Sequence, residues 1–188
     1  MKVTSFGEVL WDDFPSGKVL GGAPLNVLVR LQSFGVDTAI ISRRGDDADG
    51  EELLRQIQAK NVNTDLLQVC KECDTSLVKV ILDKCGSASY EIVYPCAWDR
   101  IVVEDAALQR VAESDAFVFG SLASRDEISR AALDKLMEKA KFKIFDVNLR
   151  KPHYRPERVC ELMRRSDLVK LNDDELYELA AELGSPYH

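Results

Sequence analysis

The chain has 188 residues, of which 46% are hydrophobic and 30% are charged, and its formal net charge is −7 at pH 7. This length corresponds to one domain, and the apolar fraction is sufficient for a packed core, which excludes a disordered chain. The negative charge would repel phosphate backbones and anionic lipids. We therefore expect no nucleic acid and no membrane as partner, but a small-molecule ligand.

The cysteines and the first residues of the chain indicate the cellular compartment in which the protein is expected. Five cysteines are scattered through a chain that can form a core without disulfides, which indicates reduced thiols and a cytoplasmic location. Gly7 and Glu8 precede any long apolar run, so the N-terminus does not resemble a signal peptide. No segment approaches the ~20 apolar residues of a membrane helix.

Short apolar runs alternate with longer amphipathic segments along the chain. Buried strands are predicted where β-branched or aromatic residues cluster, at Thr38–Ser42, Ala116–Phe119, Lys143–Asp146 and Leu168–Leu171. Helices are predicted where apolar residues recur every three or four positions, at Pro24–Phe34, Gly50–Lys60, Asp126–Ala140 and Asp173–Leu183. This alternation predicts a doubly wound α/β fold, with a mostly parallel sheet that helices cover on both faces.

Two segments interrupt the alternation. Thr75–Asp83 and Ala88–Pro95 are strand-like, and the Lys84-Cys85-Gly86-Ser87 segment between them predicts a hairpin turn. Near the start, residues 11–17 form another predicted turn before the short run Lys18–Leu20. These pieces together predict a small antiparallel sheet that lies over the main domain.

Polar residues follow three of the predicted strands, where ligands of open parallel sheets bind. Gly120-Ser121, the segment Asp146–Arg150 and the segment Asn172–Glu175 each come directly after a strand. Asp146 and Asn172 could individually be helix N-caps. Because all three clusters converge on one edge of the sheet, a ligand site is the stronger interpretation.

Two further features belong to the predicted site. Gly21-Gly22 stands at the entrance to the first helix, where paired glycines allow the backbone to approach a ligand and present its amide donors. Asp12 follows an apolar segment and needs a hydrogen-bonding partner, which a hydroxylated ligand would supply. Neither a Walker A sequence nor a Gly-x-Gly-x-x-Gly fingerprint occurs.

Other candidate sites are weaker. Cys70-x-x-Cys73 lacks a second cysteine pair at zinc-finger spacing. The acidic run at residues 46–49 lacks the alternating oxygen ligands of a calcium loop and is better interpreted as a helix start. With only His153 and His188 available, no Ser/His/Asp arrangement can be assembled convincingly.

Short motifs extend over essentially the whole chain. They are Gly7-Glu8-x-x-x-Asp12, Gly21-Gly22-Ala23-x-x-Asn26, Gly45-Asp46-Asp47-x-x-Gly50, Asp83-x-x-Gly86, Gly120-Ser121, Asp146-x-Asn148-Leu149-Arg150 and Asn172-x-x-Glu175. Their order and spacing resemble those of the ribokinase-like (PfkB) carbohydrate kinases. Within that family, the Gly-Glu opening and the Asp-x-Asn-Leu-Arg segment are most similar to fructokinases.

The resemblance implies a doubly wound domain with a small β lid, formed near residues 11–20 and 75–98, and transfer of the ATP γ-phosphoryl group to a sugar hydroxyl. It implies that the residues holding the sugar are Asp12, Gly21, Gly22, Asn26 and Arg150. A sugar offers fixed hydrogen-bond donors and acceptors, so a site that pairs with them discriminates strongly against analogues.

The nucleotide side is also implied by the resemblance. Asn172 would face the phosphates, and Glu175 would act on Mg²⁺ through its waters, because magnesium retains much of its hydration. Trp98 could pack on the sugar, although an aromatic residue there is more often part of the core. The resemblance also allows a homodimer formed through the lid.

The family's general base is an Asp in a Gly-Ala-Gly-Asp segment that follows the Asn-x-x-Glu motif. Residues 1–188 contain no such segment, and Gly45-Asp46 belongs to an earlier motif. We therefore expect this chain to be the N-terminal portion of the kinase, with no catalytic base of its own. Without the base and its neighbouring amide donors, the 188 residues alone are expected to lack kinase activity. We also expect an unpaired strand edge and an exposed apolar face, which favour association.

Two alternatives stay open at this point. One is a kinase for another substrate, such as ribose, a keto-deoxy sugar acid or a nucleoside. The other is a non-catalytic sugar-binding protein that has retained only the sugar half of the site.

Overall fold

The computed structural model describes residues 1–82, 88–182 and 184. In these residues the elements are, in chain order, β1 (Lys2–Phe6), β2 (Leu10–Phe14), β3 (Gly17–Gly21), α1 (Ala23–Gln32), β4 (Asp37–Gly45), α2 (Ala48–Ala59), β5 (Leu67–Cys70), β6 (Leu77–Leu82), β7 (Ala88–Ile92), α3 (Asp105–Glu113), β8 (Ala116–Gly120), α4 (Glu127–Met137), β9 (Lys143–Asp146), α5 (Pro156–Arg164), β10 (Leu168–Lys170) and α6 (Asp173–Glu182). Short 3-10 helices lie at Ala97–Arg100 and Leu122–Ser124. Within the described ranges, no helix has both the length and the apolar character needed to cross a membrane.

Six strands form one parallel sheet in the order β10-β9-β8-β1-β4-β5. From β1, the later strands continue outward in both directions, through β4 to β5 and through β8 to β10. The chain order therefore reverses beside β1, and a crevice forms at such a point outside the carboxyl ends of the strands.

Helices cover both faces of this sheet, as predicted. Neighbouring strand residues enter opposite cores because successive side chains alternate between faces. On β4, Ile41 packs in a core with side chains from α3, α4 and α5. Ile40 packs in a second core with Leu28 of α1 and Leu53 of α2. The doubly wound α/β fold is confirmed.

A second sheet of four strands has the order β3-β2-β6-β7. The predicted hairpin is observed, since β6 and β7 pair in antiparallel fashion, with Val78 opposite Ile92. Its predicted turn at residues 84–87 lies outside the described residues. The early segment joins the same sheet, because β2 pairs with β3 in antiparallel fashion and with β6 in parallel fashion. The prediction of an antiparallel sheet is therefore wrong, since the sheet is mixed. The turn predicted at residues 11–17 is also wrong over its first part, because residues 11–14 pair with both neighbours as part of β2.

In the main sheet, the structure differs from the sequence prediction at one strand and contains elements that were not predicted. β10 was predicted to be buried, which is wrong, because it lies at the end of the described sheet and Leu168 is 44% exposed. Beside it, apolar side chains of β1, β8, β9 and α1 line a cavity of about 610 Å³, which agrees with the expected apolar face. The sequence did not predict β1, β5, α3 or α5.

Asp47 joins the start of α2 to the segment that enters β6. Its carboxylate accepts hydrogen bonds from the Gly50 amide, the Thr75 amide and the Thr75 hydroxyl, each at 2.7 Å. Burial alone would raise the pKa of Asp47, but the bonds from Thr75 and Gly50 outweigh it and hold the pKa below its usual value. Asp47 is therefore a helix cap that also positions the second sheet.

We expect Asp47→Ala to lower the free energy of unfolding by about 2 kcal/mol, because it removes the helix cap and leaves the buried Thr75 groups unpaired. Asp49→Ala is the matched control. It removes only an exposed ion pair to Lys18, and we expect a loss of about 0.5 kcal/mol or less. Urea unfolding measures both values, and equal losses would contradict the special role of Asp47.

Candidate sugar-binding cleft

A cleft of about 230 Å³ lies where the two sheets meet. Its walls come from the segments that follow β1, β8 and β9, from the first turn of α1, and from β2, β6 and β7 of the second sheet. This is the crevice beside β1 that the strand order predicts. Four residues predicted to hold sugar line it, namely Asp12, Gly22, Asn26 and Arg150.

The second sheet contributes Asp12 to the cleft. Asp12 lies in β2, with Val19 of β3 opposite it on one side and Val78 of β6 on the other. Among the described residues, no hydrogen bond or ion pair engages its carboxylate. Burial raises the pKa of Asp12, while the positive charge of Arg150 opposes the rise. Asp12 is thus a half-buried acceptor that faces an open space.

The two glycines make room around this carboxylate. Gly21 does not line the cleft, but a Cβ atom there would collide with the Asp12 carboxylate. Gly22 has φ 117°, and a Cβ atom on it would collide with the carbonyl oxygen of Glu8. A side chain at either position would therefore displace part of the cleft wall.

Asn26 and Arg150 approach from the main domain. Asn26 is exposed in the first turn of α1, and its amide donates to the Gly22 carbonyl at 2.9 Å. Arg150 follows β9, and its Nη1 donates to the Leu149 carbonyl at 2.9 Å. The cleft thus combines a carboxylate, a carboxamide and a guanidinium, which together offer both acceptors and donors to hydroxyl groups.

Glu8 is a cleft residue whose role was not predicted from the sequence, although it belongs to a quoted motif. It lines the cleft and is 2% exposed. Its Oε1 accepts from the Ala23 amide at 3.2 Å, whereas its buried Oε2 has no partner among the described residues. Burial raises the pKa of Glu8 to about 7, against the opposing effects of backbone amides and Arg150. The signal in the sequence is an acid two residues after the end of a strand, at the edge of the sheet where ligands bind.

The raised pKa of Glu8 predicts that this group makes the fold more stable in acid. The folded chain holds the proton more tightly than the unfolded chain, whose Glu pKa is about 4.5. The contribution of Glu8 is complete below about pH 4.5 and is lost as the pH rises through about 7. Over that interval, we expect the wild-type chain to lose on the order of 2–3 kcal/mol of stability relative to Glu8→Gln.

The measurement is the free energy of unfolding in urea at several pH values for both chains. Each chain serves as the other's control, since the other titrating groups are shared. Parallel pH profiles would contradict a protonated Glu8 near neutral pH.

Asn172 and Glu175 lie beside the cleft rather than in it. They form a reciprocal cap at the start of α6, in which Asn172 Oδ1 accepts from the Glu175 amide at 2.8 Å and Glu175 Oε2 accepts from the Asn172 amide at 2.9 Å. The other oxygen of Glu175 accepts from the Leu149 amide at 3.0 Å. The N-cap interpretation of Asn172 is confirmed, and Glu175 ties α6 to the segment that carries Arg150.

The remaining candidates lie elsewhere. Trp98 is fully buried in the core with α3, α4 and α5 and does not line the cleft. Asp146 forms an ion pair with Lys170 at 3.0 Å. Cys70 donates to Glu72 at 3.4 Å. Over the described part of the chain, no group of three or more His, Cys, Asp or Glu side chains is arranged to hold a metal ion.

A doubly wound domain with a second small sheet and a polar cleft between them is the architecture of the ribokinase-like sugar kinases. Residues 8–186 match the model of the pfkB family of carbohydrate kinases. The chain belongs to this family.

Individual proteins show the same relationship. Fructokinase-2 of Zea mays is 29% identical over 196 residues, an alignment that covers 93% of this chain and 58% of the maize protein. The structure of a sugar kinase from Pyrococcus horikoshii in complex with ATP superposes with a TM-score of 0.84 at 28% identity, over 97% of this chain and 67% of that one. Fructokinase with bound ATP from Xylella fastidiosa superposes with a TM-score of 0.86 at 25% identity, over 98% of this chain and 62% of that one. The chain thus spans little more than half the length of curated relatives that it matches.

Proposed function

We propose that the protein containing this chain transfers the γ-phosphoryl group of ATP to a sugar hydroxyl, and that fructose is the first substrate to test. The observation that carries the proposal is the cleft, in which the Asp12 carboxylate faces Asn26 and Arg150 without a partner among the described residues. Family membership and similarity to proteins named fructokinase support the choice of reaction and substrate.

The residues of this chain would act by binding and orienting the sugar. Asp12 would accept hydrogen bonds from sugar hydroxyls, while Asn26 and Arg150 would supply donors on the facing wall. The Gly21-Gly22 turn would let the sugar approach the backbone. Fixed positioning of the acceptor hydroxyl is a large part of phosphoryl transfer catalysis, because the transition state needs little covalent help from the protein. The general base is expected beyond residue 188.

ATP and Mg²⁺ would supply the phosphoryl group and neutralise its charge. In this chain, Asn172 and Glu175 are the residues that would contact ATP and Mg²⁺, and both are partly engaged in other hydrogen bonds. The side-chain amide nitrogen of Asn172 is still available as a donor, because only the side-chain oxygen takes part in the α6 cap. Glu175 has both oxygens engaged by backbone amides, so it would reach Mg²⁺ only through water, which magnesium accepts.

Two finer points stay predictions. The four cysteines that the structure describes are free thiols, which supports a cytoplasmic location. A homodimer through the second sheet would use β3, one of the two edge strands of the described sheet, on which Val19 is 53% exposed.

Asp12→Ala tests the sugar site in the protein as its gene encodes it. We expect kcat/KM for fructose to fall about 100-fold, roughly 3 kcal/mol, because sugar hydroxyls would lose their acceptor in a partly buried cleft. Asp13→Ala is the matched control, since neighbouring strand residues point to opposite faces and Asp13 does not line the cleft. An unchanged kcat/KM in Asp12→Ala would overturn the assignment.

The same assay with ribose, a keto-deoxy sugar acid and a nucleoside identifies the substrate. A protein that binds fructose but phosphorylates none of them with ATP would instead be a sugar-binding protein.

Glu175→Gln tests the metal side. We expect a severalfold rise in the Mg²⁺ concentration for half-maximal rate, with a smaller change in KM for fructose. Asp174→Asn removes one charge from the same exposed helix turn and is the matched control. Equal losses in magnesium and fructose dependence would show that Glu175 acts only through the Leu149 amide and the segment carrying Arg150.

A further inference from the structure

A second cavity, of about 280 Å³, lies beside the sugar cleft and is lined by many cations. Its lining includes Arg125, Arg130, Arg155 and Arg158 together with His153, and among the described residues no Asp or Glu lines it. This is unusual in a chain whose net charge is −7. We call this cavity the arginine pocket.

The nearby carboxylates are already engaged with particular cations. Asp99 holds Arg125 through two bonds of 2.7 Å, and Asp126 pairs with Arg100 at 3.0 Å. Asp134 and Glu161 are each shared between Arg158 and Arg165.

Two cations of the pocket have no such counterion. In residues 1–82, 88–182 and 184, no hydrogen bond or ion pair engages the guanidinium groups of Arg130 and Arg155. Both arginines also line an adjoining groove. Besides Asp134 and Glu161, the acid that lines this groove is Glu157. One carboxylate set against two guanidinium groups leaves the pocket with excess positive charge.

The other two arginines are largely buried, and each has a nitrogen without a hydrogen-bond partner among the described residues. The Arg125 side chain is 5% exposed, and its guanidinium lies 4.1 Å from the centre of the Trp98 ring and 5.1 Å from that of Tyr94. Its buried Nη1 has no hydrogen-bond partner among the described residues, and neither has the buried Nε of Arg158, whose side chain is 10% exposed. Unpaired charged donors are costly in a protein interior, so their retention points to an anionic acceptor.

From this geometry we propose that the arginine pocket binds the phosphate group of a small phosphorylated metabolite. Guanidinium groups recognise phosphate oxygens through charge-assisted, often bidentate hydrogen bonds, and four of them line one small cavity here. The site is distinct from the sugar cleft, since the two cavities share no lining residue.

The pocket is nevertheless connected to the cleft through the backbone. Ser121 donates to the Asn148 carbonyl at 3.4 Å, and the His153 amide donates to the Arg150 carbonyl at 2.7 Å. Ser121 and His153 line the pocket, whereas Asn148 and Arg150 line the cleft. An occupied pocket would therefore act on the segment that carries Arg150.

His153 provides a direct readout of binding. Burial and the positive charge of Arg125 lower its pKa, and Asp99 opposes them. A phosphate group in the pocket would raise this pKa by stabilising the charged imidazole. His153→Gln removes one imidazole signal, which assigns that signal to His153 in an NMR titration.

The experiment titrates the full chain, without sugar or ATP, with inorganic phosphate and separately with glycerol 3-phosphate. We expect a saturable upward shift of the His153 pKa, half-complete at about 1 mM or below. The double variant Arg130→Gln/Arg155→Gln should weaken binding at least about tenfold. Neither arginine has a folded-state partner among the described residues, so thermal unfolding should be nearly unchanged.

Arg164→Gln is the control for removal of a positive charge outside the pocket, because Arg164 is exposed on α5 and does not line the pocket. Tighter binding of glycerol 3-phosphate than of inorganic phosphate would support a phosphorylated metabolite. Preference for inorganic phosphate would overturn the metabolite assignment. The absence of a saturable shift with either probe, or equal weakening in Arg164→Gln, would overturn the site itself. None of these outcomes depends on kinase activity, so the proposed function stands or fails separately.

Discussion

The close contact between the turn after β1 and the start of α1 is the constraint on which the site depends. Here the chain leaves the main sheet, forms two strands of the second sheet and returns to begin a helix against its own point of departure. A Cβ atom at Gly7 would come within 2.7 Å of Pro24, and one at Gly22 would collide with the Glu8 carbonyl. Ser5 also bonds the Pro24 carbonyl at 3.2 Å. Because both sheets are fixed to this junction, it sets the separation of the walls that carry Asp12 and Arg150.

Electrostatics divides the carboxyl end of the main sheet into two environments. In the cleft, two carboxyl groups, Glu8 and Asp12, are poorly solvated, and Arg150 is the cation that moderates both. In the arginine pocket the balance is reversed, with guanidinium groups in excess. Neutral hydroxylated ligands suit the first environment, because they can donate to carboxylates without adding charge. Anionic ligands suit the second.

The class of fold could be predicted from local periodicity, and most of the cleft from motifs that resemble those of a known family. Periodicity located α1, α2, α4 and α6 to within a few residues, and the motifs named Asp12, Gly22, Asn26 and Arg150. Strand β1 was not predicted, because Thr4 and Ser5 interrupt its apolar run. Both are fully buried, and their hydroxyls are satisfied by Ser114 and Pro24, which are distant in sequence. The burial of Glu8 and the grouping of arginines from α4, α5 and their preceding loops likewise arise only from tertiary packing.

One of the two tryptophans lies against the arginine pocket, and the other lies on the opposite face of the strand that carries Asp12. Trp11 precedes Asp12 in β2, is 2% exposed, and donates from its indole to the Asp49 carbonyl at 3.0 Å. Trp98 lies against the Arg125 guanidinium that lines the arginine pocket. Trp98 is therefore an intrinsic fluorescent reporter of the arginine pocket, whereas Trp11 reports on the contact between β2 and α2. In a Trp11→Phe variant, the emission of Trp98 would follow occupancy of the pocket in unlabelled protein.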